Sequence, residues 1–253
     1  MNMDEYVLEM IENGKRMDGR KFEEFRKIEI VPNVIKNAEG SALVKFGETQ
    51  VIVGVKLELG EPFEDTPNEG ILVVNAEFSP LASPDFEAGP PGEDAIELAR
   101  VVDRGIRSSR TIKMEELCIE PGKKVWCVYV DIHIINHKGN LLDVSALASL
   151  VALLNTKIPK IEGEKILRGE FEKNLPIQFK PINVSVCKIK DKFLIDPLLE
   201  EEEVIEARLS VCVREDGKIC AIQKQDSGTL TLEEIEKMIK IAVEKSKEIR
   251  ELI

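Results

Sequence analysis

The 253-residue sequence lacks the patterns that mark membrane-spanning and secreted proteins. It has no apolar run near the length of about eighteen residues that a transmembrane helix needs. Its opening, MNMDEYVLEMIENGK, is acidic and amphipathic, whereas a secretory signal begins with a basic and then an apolar segment. We therefore expect a soluble, cytoplasmic protein that does not bind a membrane.

Histidine and paired cysteines are also scarce. The two histidines are His133 and His137, and none of the five cysteines forms a Cys-x-x-Cys pair. Asp131 and His133 alternate onto one face of a strand, but they lack a clear set of further zinc ligands. Cys127 and Cys212 lie in apolar, strand-like runs, which is typical of reduced core thiols. The sequence thus predicts no disulfide, no metal site and no cofactor.

Positive charge is limited overall, because 35 basic residues face 47 acidic ones and the formal net charge is −12. This balance excludes a broad, non-specific nucleic-acid surface, although it leaves room for a local basic stripe. Such a stripe occurs in residues 97–110, ELARVVDRGIRSSR. On a helix its four arginines lie within an arc of about 120°. They are Arg100, Arg104, Arg107 and Arg110, and the opposite side carries Leu98, Val101, Val102 and Ile106.

The arginine stripe has two interpretations. Glu97 and Asp103 are at helical spacing from the arginines, so local ion pairs on a solvated face could account for it. Alternatively, the guanidinium groups bind an anionic ligand. The helical pattern by itself leaves both open.

Alternating and periodic apolar runs predict a mixed α/β fold in two halves. We expect a short helix over 4–13, an extended segment over 26–36, a hairpin around Gly47 and a buried strand ILVVNAEF. A proline-rich loop, the arginine helix from near Ile96, a long strand KVWCVYVDIHII and a small-residue helix LLDVSALASLVALLN follow. Residues 157–180 are charged and predicted to be irregular, before INVSVCKI, a meander with a turn at residues 216–217, and a final helix capped at Thr231. The predicted divisions are an N-terminal arm (1–25), a first domain (26–160) and a C-terminal domain (175–253).

Several motifs together resemble the RNase PH family. Arg16-Met-Asp18-Gly19-Arg20, followed by Glu24 and Arg26, is similar to the N-terminal signature of that family. Gly40-Ser41-Ala42 and Gly47-x-Thr49-x-Val51 resemble its first hairpin, and the two helices follow in the expected order. The resemblance covers essentially the whole chain. It implies an RNase PH-like fold whose first half resembles a domain of ribosomal protein S5, in a family that includes phosphate-dependent 3′→5′ exoribonucleases.

The sequence departs from the pattern of active members at three places. Leu141 and Leu142 stand where the resemblance implies a hydroxyl and a guanidinium that bind inorganic phosphate. Glu93-Asp94 replaces an arginine pair that holds RNA, and Arg208 replaces a carboxylate that assists proton transfer or organises a metal ion. A shifted alignment that uses Ser145 or Ser149 instead supplies no following arginine. The departures therefore predict no catalytic residue in this chain.

This combination most resembles the non-catalytic RNase PH-type subunits of the archaeal exosome. The resemblance implies a hexameric ring of heterodimers with an active RNase PH-like paralogue, RNA-binding cap subunits on one face, and single-stranded RNA inside. The arginine helix would face the partner's active site, so Arg100, Arg104 and, with less support, Arg107 would contact RNA phosphates. Arg110 would complement the dipole at the helix end. The alternatives are an active homohexameric phosphorolytic exoribonuclease and, more remotely, an unrelated anion-binding α/β protein.

Overall fold

A computed structural model describes residues 2–253, and in it two β-sheets pack on either side of a central helix. The helices are α1 (Met3–Glu12), α2 (Glu93–Ser109), α3 (Leu141–Leu154), α4 (Leu199–Glu202) and α5 (Leu232–Arg250), with a 3-10 turn at Met114–Leu117. The strands are β1 (Ile28–Pro32), β2 (Gly40–Phe46), β3 (Thr49–Gly60), β4 (Ile71–Phe78), β5 (Cys118–Glu120), β6 (Lys124–Asn136), β7 (Lys157–Glu162), β8 (Lys165–Asn174), β9 (Ile182–Ile189), β10 (Lys192–Ile195), β11 (Ala207–Val213) and β12 (Ile219–Gln225). The mixed α/β architecture predicted from the sequence is confirmed.

The first sheet has the strand order β1-β2-β3-β6-β4, and β5 pairs with β6 at its start. β2 and β3 form the predicted hairpin, in which Phe46 pairs with Thr49 and Gly47 has a φ of +55°. Glycine adopts this left-handed conformation at little cost. β4 pairs with β6 in parallel and forms one edge of the sheet, so only Leu72 and Ala76 of its residues are buried. The predicted strand is confirmed, but the expectation that it is buried was wrong.

The arginine helix is α2, which begins at Glu93, three residues before the expected start. Its apolar side packs on β4, and Leu98, Val102 and Ile106 are buried. All four arginines are exposed. The amphipathic helix predicted from the sequence is therefore confirmed.

The central helix α3 contacts β2 and β3 of the first sheet as well as β9 of the second. Twelve of its fourteen residues are buried. A helix that is apolar on all sides belongs in such a core position, and its alanines and serines allow close packing. Asp143 connects α3 to β9, because its carboxylate accepts hydrogen bonds from the Asn183 amide and from the Ser185 backbone and hydroxyl at 2.7–2.9 Å.

The second sheet has the order β10-β9-β11-β12, all antiparallel, and α5 packs on β9 and β11. Thr231 caps α5 by accepting a hydrogen bond from the backbone of Glu234, as the sequence predicted. α2 also contacts β12, so it lies beside the edge strands of both sheets. This places the arginine helix at the junction of the two halves.

The segment 157–180 was predicted to be irregular, and this prediction was wrong for most of its length. β7 and β8 form a two-stranded antiparallel hairpin over Lys157–Asn174. Arg168 on the hairpin donates to the carboxylate of Glu39 at 2.7 Å and to the backbone carbonyl of Leu57 at 2.9 Å. The hairpin is therefore fixed to the first sheet by polar contacts. The domain divisions at 1–25, 26–160 and 175–253 stay a prediction.

The five cysteines carry free thiols, and Cys127, Cys187 and Cys212 are buried. Across residues 2–253 there is no group of three or more His, Cys, Asp or Glu side chains placed to hold a metal ion. None of the helices in that range is both long and apolar enough to cross a membrane.

Candidate nucleic-acid interface

A groove between α2 and β4 contains three of the four arginines. Residues 72–74 of β4 form one wall, and Arg100, Arg104 and Arg107 line the other. We call this feature the arginine groove. Arg110 lies outside it, at the C-terminal end of α2, where its left-handed backbone (φ +56°) ends the helix.

Among residues 2–253, Arg107 is the one arginine of the groove that forms an ion pair. Its Nε and Nη2 donate to the two carboxylate oxygens of Asp103 at 2.8 and 2.9 Å, and Nη2 also donates to the carbonyl of Leu72 at 2.7 Å. Glu97 bonds elsewhere, since its carboxylate accepts from the amide of Gln225 at 2.9 Å. The explanation by local ion pairs therefore accounts for Arg107 only.

Arg100 and Arg104 have no carboxylate partner among residues 2–253. Arg104 Nη1 donates to the amide oxygen of Gln223 at 2.7 Å, which holds the side chain without neutralising it. The Arg100 guanidinium has no hydrogen bond or ion pair within that range. Since the two side chains are one helical turn apart, they present two uncompensated positive charges to one side of the groove. This arrangement suits an anionic ligand with repeated charges.

A second cavity lies at the N-terminal end of α3 and has the opposite charge. Its lining includes four carboxylates, from Asp94, Glu97, Glu202 and Asp226, and the guanidinium of Arg208. We call it the acidic pocket. Asp94 and Glu97 come from the first turns of α2, so the same helix borders both cavities. An anion entering the acidic pocket would meet more negative than positive charge.

The three positions singled out in the sequence meet at this pocket. Leu141 and Leu142, in the first turn of α3, are 8% and 5% exposed and line the pocket with apolar atoms. Asp94 and Arg208 line the same pocket, and Glu93 precedes Asp94 at the start of α2. The structure therefore brings together the residues that depart from the active pattern.

The loop before α3 is closed by the segment that leads into α4. The backbone N–H of Asn140 donates to Glu202 Oε1 at 3.1 Å, and the Asn140 side chain donates to Asp196 at 3.0 Å. A Cβ atom on Gly139 would lie 2.3 Å from the carbonyl oxygen of Pro197, so no larger residue fits there without a shift. The Glu202 carboxylate thus occupies the side of the helix end where an external anion would approach.

The signature arm holds this closure in place. Arg16 is 1% exposed and forms a bidentate pair with Glu201 at 2.9 and 2.5 Å. Arg26 donates to the carboxylate of Asp196 and to the carbonyl of Gly139. Burial would raise the pKa of Asp196, but the hydrogen bonds and charge of Arg26, and the nearby charge of Arg20, lower it below its usual value. The signature residues are structural in this chain, because they join the loop before α3 to the second half.

Two further groups of the acidic pocket have shifted pKa values. Burial lowers the pKa of His137, although the neighbouring Glu202 opposes the shift, so the imidazole is neutral at pH 7. Burial would also lower the pKa of Arg208, but Cys187, Glu202 and Asp226 around it raise it above its ordinary value. Arg208 therefore stays charged and supplies the one permanent positive charge of the pocket lining.

Family profiles match most of the chain, and curated relatives match nearly all of it. Residues 24–159 match the profile of domain 1 of the RNase PH 3′ exoribonuclease family, and residues 181–245 match domain 2. The chain belongs to the RNase PH family. It is 48% identical over 256 residues to exosome complex component Rrp42 of Thermococcus kodakarensis, covering 99% of this chain and 94% of that protein. It is 50% identical over 250 residues to the Rrp42 component of Methanopyrus kandleri, covering 98% and 94%.

Solved structures show the same relationship. A chain of the Archaeoglobus fulgidus exosome with RNA bound to the active site superposes with a TM-score of 0.92 at 47% identity, covering 98% of this chain and 96% of that one. The RNase PH-like fold expected from the sequence motifs is therefore confirmed. The resemblance to exosome subunits, stated from the departures at Leu141, Leu142 and Arg208, is likewise confirmed by these relatives.

Sequence reasoning missed several residues of the acidic pocket. Glu202 and Asp226 are distant from α3 in sequence and reach it only through the topology of the second sheet. Glu202 belongs to a run of four glutamates, EEEE at 200–203, in which the sequence gives no reason to choose one. No sequence pattern marked Gln223 and Gln225 as site residues, because uncharged polar side chains are common on edge strands. Gln225 pairs with Arg208 and Gln223 with Ser210 across β11 and β12, and these two glutamines can be placed beside α2 only when that pairing is known.

Proposed function

We propose that this chain is a non-catalytic subunit of an archaeal-type exosome, which pairs with an active RNase PH-like paralogue in a hexameric ring. In this assembly the chain supports the partner's active site and contacts the phosphates of single-stranded RNA during phosphate-dependent 3′→5′ degradation. The relatives named Rrp42 and the RNA-bound exosome structure support the assignment to such a complex. The ring, the RNA-binding caps and a cytoplasmic location are parts of the same proposal.

The absence of catalysis rests on the acidic pocket. Phosphorolysis needs a site that holds inorganic phosphate beside the terminal phosphodiester. Here the end of α3 carries Leu141 and Leu142, and the Glu202 carboxylate already accepts the Asn140 N–H. Four carboxylates against one guanidinium would repel both phosphate and RNA. This pocket is the observation that carries the proposal, and it argues against an active homohexameric exoribonuclease.

The contact with RNA rests on the arginine groove. Arg100 and Arg104 are exposed, one turn apart and without carboxylate partners, while the rest of the chain is strongly acidic. We assign the principal phosphate contacts to these two residues. Arg107 is given a smaller share, because its guanidinium already bonds Asp103 and Leu72.

The proposal is tested by reconstitution. The purified chain alone is expected to release no nucleoside diphosphates from single-stranded RNA in phosphate buffer, whereas mixing it with its active paralogue gives phosphorolysis. Light scattering of the mixture is expected to show a single assembly of alternating chains, since obligate interfaces usually bury more than about 2,000 Å². Phosphorolysis by the isolated chain at the rate of the mixture would disprove the non-catalytic assignment, and two separate monomeric species at micromolar concentration would disprove the ring.

A further inference from the structure

Arg208 is the positively charged residue in the lining of the acidic pocket, and it is largely buried. Its side chain is 14% exposed, and its Nη2 lies 3.1 Å from Glu202 Oε1. Its Nε lies 3.7 Å from the Asp226 carboxylate and has no hydrogen-bond partner. Glu202 lies at the end of α4 and Asp226 follows β12, so the guanidinium adds a side-chain link between two segments that the backbone hydrogen bond from Gly228 to the Glu206 carbonyl, at 2.7 Å, also connects.

The charge balance of the pocket depends on this one residue. Asp94, Glu97, Glu202 and Asp226 line it, and the only other titratable side chain in the lining besides Arg208 is His137, which is neutral at pH 7 because burial lowers its pKa. The buried Asp143 carboxylate is also close enough to act electrostatically on Arg208. Without Arg208, the carboxylates of Glu202 and Asp226, both of which now pair with it, would have no counter-charge in a partly dehydrated space. Such an arrangement is costly unless a cation binds.

We propose that Arg208 is a built-in counter-cation that takes the place of an external divalent cation in the acidic pocket. The guanidinium supplies a permanent positive charge between Glu202 and Asp226, so the folded chain requires no metal ion there. A hard divalent cation would accept the same two carboxylates together with water ligands. The proposal goes beyond the proposed function, because it concerns how this chain stabilises a pocket that it does not use for catalysis.

The test removes the charge while keeping most of the side-chain volume. The Arg208→Gln chain is expected to unfold at a lower temperature than the wild type, and millimolar Mn²⁺ is expected to raise its midpoint by about 3 °C or more at matched ionic strength. The wild type and Arg208→Lys are expected to show no such response, because both keep a cation in place. Arg214→Gln is the matched control, since Arg214 pairs with Asp216 in a turn at 2.8 Å, outside the pocket.

The outcomes separate clearly. If Arg208→Gln responds to Mn²⁺ no more than the wild type or Arg214→Gln does, the proposal is wrong. Should Arg208→Gln be unfolded in metal-free buffer, Mn²⁺ is expected to restore its folded circular dichroism spectrum, and failure to do so would equally overturn the proposal. A count of bound Mn²⁺ by electron paramagnetic resonance is expected to show one more ion for Arg208→Gln than for Arg208→Lys. These measurements use the full chain without RNA or paralogue, so they can fail while the proposed exosome role stands.

Discussion

Reversal of charge at Arg100 and Arg104 tests the arginine groove most directly. We expect the reconstituted ring with Arg100→Glu and Arg104→Glu to assemble but to lose most of its RNA degradation. Arg100 has no side-chain partner among residues 2–253, and Arg104 donates one exposed hydrogen bond to the amide oxygen of Gln223, which contributes about 1.5 kcal/mol, the low end for a charged group. Folding should therefore be little affected, with a fall in the unfolding midpoint of no more than about 4 °C.

The effect on RNA binding should be much larger. A hydrogen bond to a charged group contributes about 1.5–3 kcal/mol, so losing two phosphate contacts should weaken binding by at least about 100-fold. The loss should be similar for different RNA sequences, because phosphate contacts carry no base information. The dependence of log K on log salt should become shallower by about 0.7 for each lost single-strand contact, or about 1.4 for both. Binding is measured by fluorescence anisotropy over a salt series, and degradation by the release of nucleoside diphosphates.

A matched control keeps the net charge the same. Each Lys→Glu or Arg→Glu exchange changes the formal charge by −2, so Lys27→Glu with Lys123→Glu gives −16, as does the arginine double variant. Lys27 and Lys123 are 81% and 73% exposed and lie outside both cavities. This control is expected to keep near-normal degradation. Arg208→Glu, which sequence separation alone suggests as a control, is unsuitable because it would add a carboxylate to the acidic pocket. An assembled arginine double variant that degrades RNA with wild-type salt dependence would refute the assignment.

Three further predictions concern the structure around α3. Replacing Arg16 by Met leaves the buried Glu201 unpaired and should cost about 3–5 kcal/mol in urea unfolding, much of which the added change Glu201→Leu should restore. Burial raises the pKa of Asp143 to about 6, so the native state binds this proton more tightly than the unfolded state does. Relative to Asp143→Asn, the free energy of unfolding of the wild type should therefore fall as the pH rises from about 4 to 6, by no more than about 3 kcal/mol, and stay constant above pH 6. A free-energy difference that rises over this pH range would contradict the raised pKa. Gly139→Ala should lower the unfolding midpoint far more than Gly163→Ala does. Both glycines have positive φ, but only at Gly139 would a Cβ atom collide with neighbouring backbone. Equal effects would show that the cost of both substitutions comes from backbone strain and not from the collision.

The sequence predicts best where periodic apolar residues dominate. The amphipathic period of α2 and the apolar run of α3 located both helices to within three residues. The β7–β8 hairpin escaped prediction because its strands alternate charged residues with few apolar ones, and it is fixed by Arg168 contacts to the first sheet. Likewise, the apolar run ILVVNAEF predicted a strand but not its position at the sheet edge, which only the parallel pairing with β6 decides.

The candidate site divides in the same way. The arginines of α2 could be identified because helical spacing alone places them on one face. Which arginines would lack a carboxylate partner could not be predicted, since Arg104 bonds Gln223 and Glu97 bonds Gln225 only because β12 lies beside α2. Of the acidic pocket, the sequence could point only to the three places where it departs from the pattern of active family members. The fold of the second half places Glu202 and Asp226 in the pocket, and no local sequence pattern predicts that placement.

In the proposed assembly, the two cavities on α2 would allow a chain of net charge −12 to hold RNA. The first turns of the helix carry Asp94 and Glu97, where carboxylates are stabilised by the positive end of the helix dipole, and these face the acidic pocket. Arg100 and Arg104 follow in the next turns and face the arginine groove. Asp94 and Arg104 are about 15 Å apart along the axis, but Glu97 and Arg100 are only about 4.5 Å apart, so at a Debye length of about 8 Å the fields of the two cavities overlap where Glu97 and Arg100 lie and separate toward Asp94 on one side and Arg104 on the other. We therefore expect a phosphate to be repelled from the acidic pocket and attracted to the arginine groove, and we propose that the sign of charge along one helix decides on which side of it the RNA lies.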